Sequence, residues 1–261
     1  MESLSMFSST SGYERFMGRW SRRLAVAFAE FAGIRDGDRV LDVGCGTGAL
    51  CAAVLARYSR VSVTGIDPTE SFIESCRKEF PASRFAVGAA ERLPFGNREF
   101  DASLASLVLA FVAKPSAAVA EMSRVTVAGG TVAATVWDHS QGKTMLSQFW
   151  EEADRVDASL KPGEAQPNMS RDVIAALWHE ADLKDVAVEP LMVEMTFSSF
   201  DDYWSPFLAG QGPAGAYVAA ASENNRTAIM RSLRDRYLGV GPDRPFVIRS
   251  QASAIRGTVP G

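Results

Sequence analysis

The stretch Val40 to Leu50, VLDVGCGTGAL, places Gly44, Gly46 and Gly48 at alternate positions straight after a short apolar run. A strand that ends this way can turn sharply into a helix, because glycine accepts backbone angles closed to other residues. A ligand can then touch the amides at the helix start with no Cβ in between, which is how open α/β sheets hold nucleotide-like molecules at strand ends. The partner feature is an acidic residue about 20 positions further on. Asp67 supplies it at the end of the next apolar run, where a carboxylate accepts hydrogen bonds from both hydroxyls of a ribose. Asp42, at the mouth of the turn, narrows the ligand: it repels a phosphate and attracts an ammonium or sulfonium, and no Lys or Arg occurs between Asp42 and Arg57. The spacing also misses the dinucleotide pattern, whose third glycine falls at Ala49, although alanine is tolerated there. The turn is expected to prefer a cation.

These residues need a sheet to align them, and the first half of the chain alternates short apolar runs with helical patterns, as repeated strand-helix units around a parallel sheet do. The strands expected are Arg39 to Val43, Val61 to Asp67, Arg84 to Val87, Phe100 to Ala105 and Thr131 to Trp137. Between them, Ala49 to Tyr58 puts Leu50, Val54, Leu55 and Tyr58 on one helical face. Ser71 to Phe80 opens with Ser71 and Glu74 in capping-box spacing, and Ala117 to Val127 carries Val119, Met122 and Val125, with Gly129 and Gly130 stopping the helix. Ahead of this core, SGYERFMGRWSRRLAVAFAEFAGI reads as one or two helices with a capping box at Ser11 and Glu14. Beyond Asp138, KPGEAQPN reads as a loop, Arg171 to Leu183 as an amphipathic helix built on Val173, Ile174, Leu177, Trp178 and Ala181, and Val186 to Thr196 as a strand. The glycines, prolines and aromatics of SSFDDYWSPFLAGQGPAGAY suggest an irregular lid; a helix from Ser222 to Leu238 and a strand near Phe246 to Arg256 close the chain.

The chain has 261 residues, 47% hydrophobic and 22% charged, which fits a globular fold of one large domain. The expected organisation is a single domain over 1–261, with a helical leader at 1–35, a ligand-binding core at 36–138 and a substrate-side cap with the last two strands at 139–261. A net charge of -4 provides no broad cationic field, so nucleic acid is not expected as the principal partner. The run Leu104 to Ala113 falls far short of the roughly 20 apolar residues of a membrane span, and the N-terminal MESLSMFSST lacks the pattern of a secretory signal, so a cytoplasmic location is expected. Cys45, Cys51 and Cys76 are expected to be reduced, and no metal-ligand spacing is present.

Four segments in order, VLDVGCGTGAL, GIDPTESFIESCR, AAERLPFGNREFDASLASLVL and EMSRVTVAGGTVAATVWD, resemble a class I S-adenosylmethionine-dependent methyltransferase similar to the bacterial quinone-biosynthesis type, the methyltransferase type 11 group. The motifs span about residues 38 to 138, and YERFMGRWSR resembles the leader helices of that group. The resemblance implies an α/β, Rossmann-like doubly wound, mostly parallel seven-stranded sheet with helices on both faces, an antiparallel last strand and a small helical cap. It implies S-adenosylmethionine as cofactor, with S-adenosylhomocysteine as product. Asp42 would hold the cofactor's amino group, directly or through water, while Gly44, Cys45, Gly46 and Gly48 line its methionine portion. Asp67 would hold the ribose with Pro68 packed beside it, and Ser106 and Leu107 would lie near the reacting methyl group. Relatives commonly offer an aspartate and then a backbone amide to the adenine; here Ala89 and Ala90 stand there, followed by Glu91, so either Glu91 supplies the polar contact or the backbone alone reads the base. Ala110, Phe111 and Ala128 also depart from the group's pattern, which bears on substrate and a local turn.

The implied activity is methyl transfer to a small-molecule acceptor by in-line displacement. The chain needs only to align a nucleophile and exclude water, so no catalytic residue is assigned. His139, just past the fifth strand, is the best-placed base, although a plain loop residue is the preferred reading; His179 reads as structural or surface. Arg19 pairs with the cofactor's carboxylate or is a solvated helix residue, and Tyr13 could close over the ligand. Trp137, Phe149, Trp150, Trp204 and Phe207 are candidates to line an apolar or aromatic acceptor pocket, with core packing the plainer role for any one of them. Arg231, Arg234 and Arg236 read as a solvated face, and Cys45 as a small loop residue. Two other functions fit the same turn: a nicotinamide-dependent oxidoreductase, and a module that binds S-adenosylmethionine without transferring its methyl.

Overall fold

Trp20, Leu24, Ala25 and Phe28 recur at helical spacing, and they form the buried stripe of α1 (Arg19–Phe31), which lies on one face of the sheet. The computed structural model describes residues 17–137, 144–157, 169–210 and 212–261; the expected capping box at Ser11 and Glu14, Tyr13, His139 and the KPGEAQPN loop lie outside them. After α1 the chain alternates β1 (Arg39–Val43), α2 (Ala49–Arg57), β2 (Ser62–Asp67), α3 (Glu70–Glu79), β3 (Arg84–Val87), β4 (Phe100–Ser106), α4 (Pro115–Val125) and β5 (Thr126–Trp137). It continues through α5 (Met145–Val156), α6 (Arg171–Glu180), β6 (Lys184–Phe197), α7 (Phe200–Leu208), α8 (Gly212–Ala220), α9 (Glu223–Leu238) and β7 (Phe246–Thr258). The seven strands form one sheet in the order β3-β2-β1-β4-β5-β7-β6, in which β7 alone runs against its neighbours. The order reverses between β1 and β4, so the crevice of a doubly wound sheet opens at the C-terminal tips of these strands.

Strand periodicity sorts the core into two layers. Val40, Ala102, Leu104, Ala133 and Ala254 face α1, α2 and α3, while Leu41, Val43, Ala105, Val132, Ala134 and Ile255 face α4 and α6. A third cluster joins the start of α1 to α5, α7, α8, α9 and the ends of β6 and β7, and forms the cap. Among the described residues no helix is long and apolar enough to cross a membrane.

Several local expectations are corrected. The helix expected to run to Val127 ends at Val125, because the Thr126 hydroxyl bonds to Met122 O and Ser103 Oγ, each at 2.7 Å, and starts the strand; Gly129 and Gly130 lie inside β5. Thr69, not Ser71, stands at the N-cap of α3 with no capping bond from its side chain, in a turn held by the Thr69 amide on Asp67 Oδ1 at 2.8 Å. Leu55 and Val173 are exposed instead of joining their helices' buried faces. The irregular lid is instead the helices α7 and α8: Phe200, Tyr203, Trp204 and Phe207 follow helical spacing and are all buried, Ser199 Oγ caps the Asp202 amide, and Pro206 is tolerated inside α7. α5, unforeseen, opens with a capping box between Thr144 and Ser147.

The cap hides one charge. Glu152 on α5 is buried yet accepts from Ser232 at 2.6 Å, Arg155 at 2.8 Å and Arg236 at 2.9 Å. Burial alone would push the carboxyl up, but the bonds from Ser232, Arg236 and Arg155 prevail and hold it below the ordinary carboxylate range. Arg236 also binds Glu151, and Arg234 donates to Gly239 and Gly241 carbonyls, so these two arginines tie the cap together rather than forming a solvated face. Glu152→Ala is expected to lower unfolding free energy by about 2 kcal/mol, since a charge-assisted network is lost while the exposed Arg155 can turn to water. Urea denaturation at pH 7 measures it, and the deficit should shrink at acid pH where Glu152 itself protonates.

Candidate functional site

The glycine turn joins β1 to α2, and all three glycines have positive φ: +70° at Gly44, +52° at Gly46 and +86° at Gly48. They are bare for different reasons. A Cβ on Gly44 would fall within the Val108 side chain, which packs down from the segment after β4, and one on Gly48 would lie 2.5 Å from the Phe80 ring. A Cβ on Gly46 would meet no heavy atom within 4 Å. Gly44 and Gly48 therefore serve protein packing, and Gly46 alone presents bare backbone to open space.

Two carboxylates flank this opening. Asp42 is 1% exposed, receives a backbone hydrogen bond from Cys51 and keeps Oδ2 without a partner among the described residues. Burial, and then the nearby Asp67 charge, push its carboxyl up to about 7. Asp67, 8% exposed, accepts the Gly46 amide on Oδ2 at 3.0 Å and the Thr69 amide on Oδ1 at 2.8 Å. Burial raises its carboxyl despite those bonds, and each oxygen keeps a lone pair for a hydroxyl donor. Pro68 beside it is exposed. Cys45 and Cys76 lie beneath the turn, with Cys76 Sγ on Gly46 O at 3.3 Å; their mutual hydrogen bond and burial hold the Cys45 thiol well up, and burial lifts Cys51 to about 12, so both stay protonated and inert.

Beyond β3, Ala89 is exposed, Ala90 buried and Glu91 half-buried. At the tip of β4, Ser106 Oγ lies 3.3 Å from Thr135 Oγ1 on β5, and the Leu107 amide donates to Thr135 O at 2.9 Å. Leu107 has φ +62°, a conformation costing a non-glycine residue about 1–2 kcal/mol, and its side chain packs on the cap cluster. Thr135 and Val108 escaped the sequence reading, since only strand pairing reveals them. No group of three or more potential ligands able to hold a metal occurs among the described residues. The orphaned Asp42 oxygen suits a cationic group and disfavours an anionic pyrophosphate, while the open face of Gly46 leaves room for a ligand along the backbone.

Residues 41–134 match the family model described as a methyltransferase domain. This core is similar to the methyltransferases. A demethylmenaquinone methyltransferase of Renibacterium salmoninarum is 35% identical over 121 residues, covering 46% of this chain and 48% of that protein. A malonyl-[acyl-carrier protein] O-methyltransferase of Serratia marcescens is 28% identical over 128 residues, covering 49% of each. The chain thus spans about half the length of the curated relatives it matches. Among solved structures, a methyltransferase assigned to an antibiotic biosynthesis pathway in Anabaena variabilis superposes with a TM-score of 0.60 at 16% identity, covering 90% of this chain and 96% of that one, which shows the shared fold.

Outside the methyltransferase-like core, some expectations change. Arg19, one candidate for the cofactor's carboxylate, is committed elsewhere: it donates to Asp202 Oδ1 at 2.7 Å and Thr196 O at 3.0 Å and lies 5.1 Å over the Phe197 ring. It fastens α1 to the cap. Arg19→Ala is expected to leave S-adenosylhomocysteine affinity within about twofold and to cost at most about 1 kcal/mol of stability, checked by calorimetry and thermal unfolding. Of the five aromatics considered for an acceptor pocket, Phe149, Trp150, Trp204 and Phe207 are buried in the cap, with Phe149 and Phe207 stacked at 4.8 Å. Trp137 is the exception: it is half-buried and borders a small hollow, with room for about one water, beside Met17, Trp20, Met145 and Leu146. His179 is exposed at the end of α6, and Phe111 is 52% exposed in the turn after β4.

Proposed function

We propose that the chain binds S-adenosylmethionine at the β1–α2 turn and transfers its methyl group to a small, apolar or aromatic acceptor. The observation that carries this reading is the buried Asp42 carboxylate, with one oxygen unpartnered, beside the open backbone of Gly46. When bound, the cofactor supplies an electrophilic methyl group on a sulfonium. Asp42 holds the ammonium, Gly46 and the neighbouring Cys45 backbone lie along the methionine chain, and Gly44 and Gly48 keep the turn closed on Val108 and Phe80. Asp67 accepts from the ribose hydroxyls with Pro68 alongside, and the Ala90–Glu91 segment meets the adenine. Ser106 and Leu107 sit where the methyl group and acceptor meet, and the cap excludes water so that alignment does most of the catalysis.

The relatives' names include both a quinone-type and an acyl-carrier acceptor, so the acceptor does not carry over from them. The test is calorimetry with S-adenosylmethionine, S-adenosylhomocysteine, NAD and NADP, followed by incorporation of labelled methyl groups into neutral aromatic metabolites. Binding of the first two alone, with transfer, is expected. Preferential binding of a dinucleotide would overturn the reading in favour of an oxidoreductase, and tight binding with no acceptor turnover would favour a non-catalytic module.

A further inference from the structure

Between β3 and β4 the chain makes a turn that is tied down at both ends. At the front, the Gly88 amide donates to Asp67 O at 3.1 Å, so the segment leaves from beside the residue proposed to hold the ribose. The Arg92 amide then closes a turn on Ala89 O at 3.2 Å. At the back, α4 grips Leu93 through both of its backbone groups: the amide donates to Glu121 Oε2 at 2.8 Å, and the carbonyl accepts from Arg124 Nη2 at 3.1 Å.

Arg124 carries most of this grip. Its guanidinium forks onto Glu121, with Nε on Oε1 at 2.6 Å and Nη2 on Oε2 at 2.9 Å, while Nη1 reaches Phe95 O and Asn97 Oδ1, each at 2.9 Å. Its own carbonyl accepts from the Arg98 amide at 3.0 Å, where the loop leaves through a left-handed residue at φ +57°. Arg124 also holds the Glu121 carboxyl below the usual carboxylate range, so the pair stays ionised at neutral pH. A partly exposed ion pair three residues apart does little for a helix by itself. Here the side chain spends its remaining donors on the loop.

The turn so fixed presents backbone donors. Among the described residues the Ala90 and Glu91 amides have no hydrogen-bond partner, although Ala90 is buried. Amides of buried residues are ordinarily paired. Glu91, half-buried, adds a carboxylate beside them.

We propose that Arg124 is a positioning residue for base recognition: with Glu121 it presets the turn from Ala89 to Arg92, so that the Ala90 and Glu91 amides and the Glu91 carboxylate meet the cofactor's base in one fixed geometry. An amide against the adenine edge donates to N1, which in hypoxanthine carries a hydrogen instead. The Glu91 carboxylate accepts from the adenine amine and repels the hypoxanthine oxygen. Whichever of the two reads the base, a turn fixed in advance turns the contact into selectivity, whereas a loose turn is ordered only on binding and adapts to either base. This inference rests on the cofactor reading, in which the segment meets the adenine.

The test is calorimetry with S-adenosylhomocysteine and S-inosylhomocysteine, which differ only at the base, on the unaltered protein and on Arg124→Gln, Arg124→Lys and Arg39→Gln. The unaltered protein is expected to bind the adenine compound about thirtyfold more tightly. That ratio should fall below about fivefold in Arg124→Gln and in Arg124→Lys, which keeps the charge but lacks the planar fork and serves alone if the glutamine variant does not fold. Arg39→Gln is the control. It breaks another partly exposed pair, Arg39 with Asp101 at 2.9 Å, at the start of β1 and so at the opposite end of the sheet, and should leave the ratio unchanged whatever it costs in thermal stability. The proposal is overturned, with the cofactor reading left standing, by a ratio that stays above about fivefold in either folded Arg124 variant or falls as far in Arg39→Gln. Equal binding of the two compounds by the unaltered protein has the same consequence. Binding of neither compound refutes the cofactor reading and the proposal with it.

Discussion

Gly46→Ala is expected to weaken S-adenosylhomocysteine binding about a hundredfold at a cost of about 1–2 kcal/mol in stability, while Gly44→Ala, two residues away, unfolds the protein more easily by about 3 kcal/mol or more. Both residues are left-handed, so each alanine costs about 1–2 kcal/mol in backbone strain. The surroundings make the difference. At Gly46 the new methyl enters open space, the face on which the ligand would touch bare backbone. At Gly44 it falls within the Val108 side chain, 2.7 Å from Cγ1 and 3.1 Å from Cβ. A β-branched side chain whose Cβ is itself crowded cannot swing aside, so overpacking adds a further 1–3 kcal/mol or so. Calorimetry and urea denaturation on the two variants separate the effects. Equal loss of stability in both, or unaltered ligand affinity in Gly46→Ala, would refute the division of roles among the glycines.

That division was not legible in the sequence, and the reason is general to the site. Alternation of apolar runs and helical stripes gave β1 and β3 at their observed bounds and β2 and β4 within a residue, because each depends on local periodicity. The glycine spacing and the two aspartates marked the turn at which the ligand is proposed to lie. Which glycine faces it depends on Val108 and Phe80, distant in the chain and brought near only by the sheet. The same holds for Arg19, whose partner Asp202 is 183 positions away, and for Glu152, whose partner Ser232 is 80 away. The aromatic stretch after Ser198 misled in another way: Pro206 and the following glycines suggest irregular chain, but the spacing of Phe200, Tyr203, Trp204 and Phe207 buries a continuous stripe, and that burial outweighs the proline. Loss of one helical hydrogen bond is small beside four buried aromatic side chains.

The largest pH effect is expected at Asp42. In the unfolded chain its carboxyl titrates near 4; in the folded protein burial, and then Asp67, bring it to about 7 against the lowering bond from Cys51. Between these values the folded chain holds a proton that the unfolded chain has released. Its contribution to stability is therefore fully present below about pH 4 and is lost as pH rises through about 7. Cofactor binding runs the other way. The ammonium needs the carboxylate, so above pH 7 binding displaces no proton, and below it each unit of pH should weaken affinity about tenfold. The surrounding groups do not confuse this: Cys45 and Cys51 stay protonated throughout, and Asp67 is also raised but is held by two amides. Asp42→Asn should flatten both profiles, removing the decline in stability between pH 4 and 7 and leaving an affinity for S-adenosylhomocysteine about a hundredfold weaker at pH 8 with little dependence on pH. Calorimetry from pH 5.5 to 8.5 on the two proteins decides it: a slope below pH 7 that persists in the Asp42→Asn variant assigns the proton to Asp67 and removes Asp42 from the ammonium.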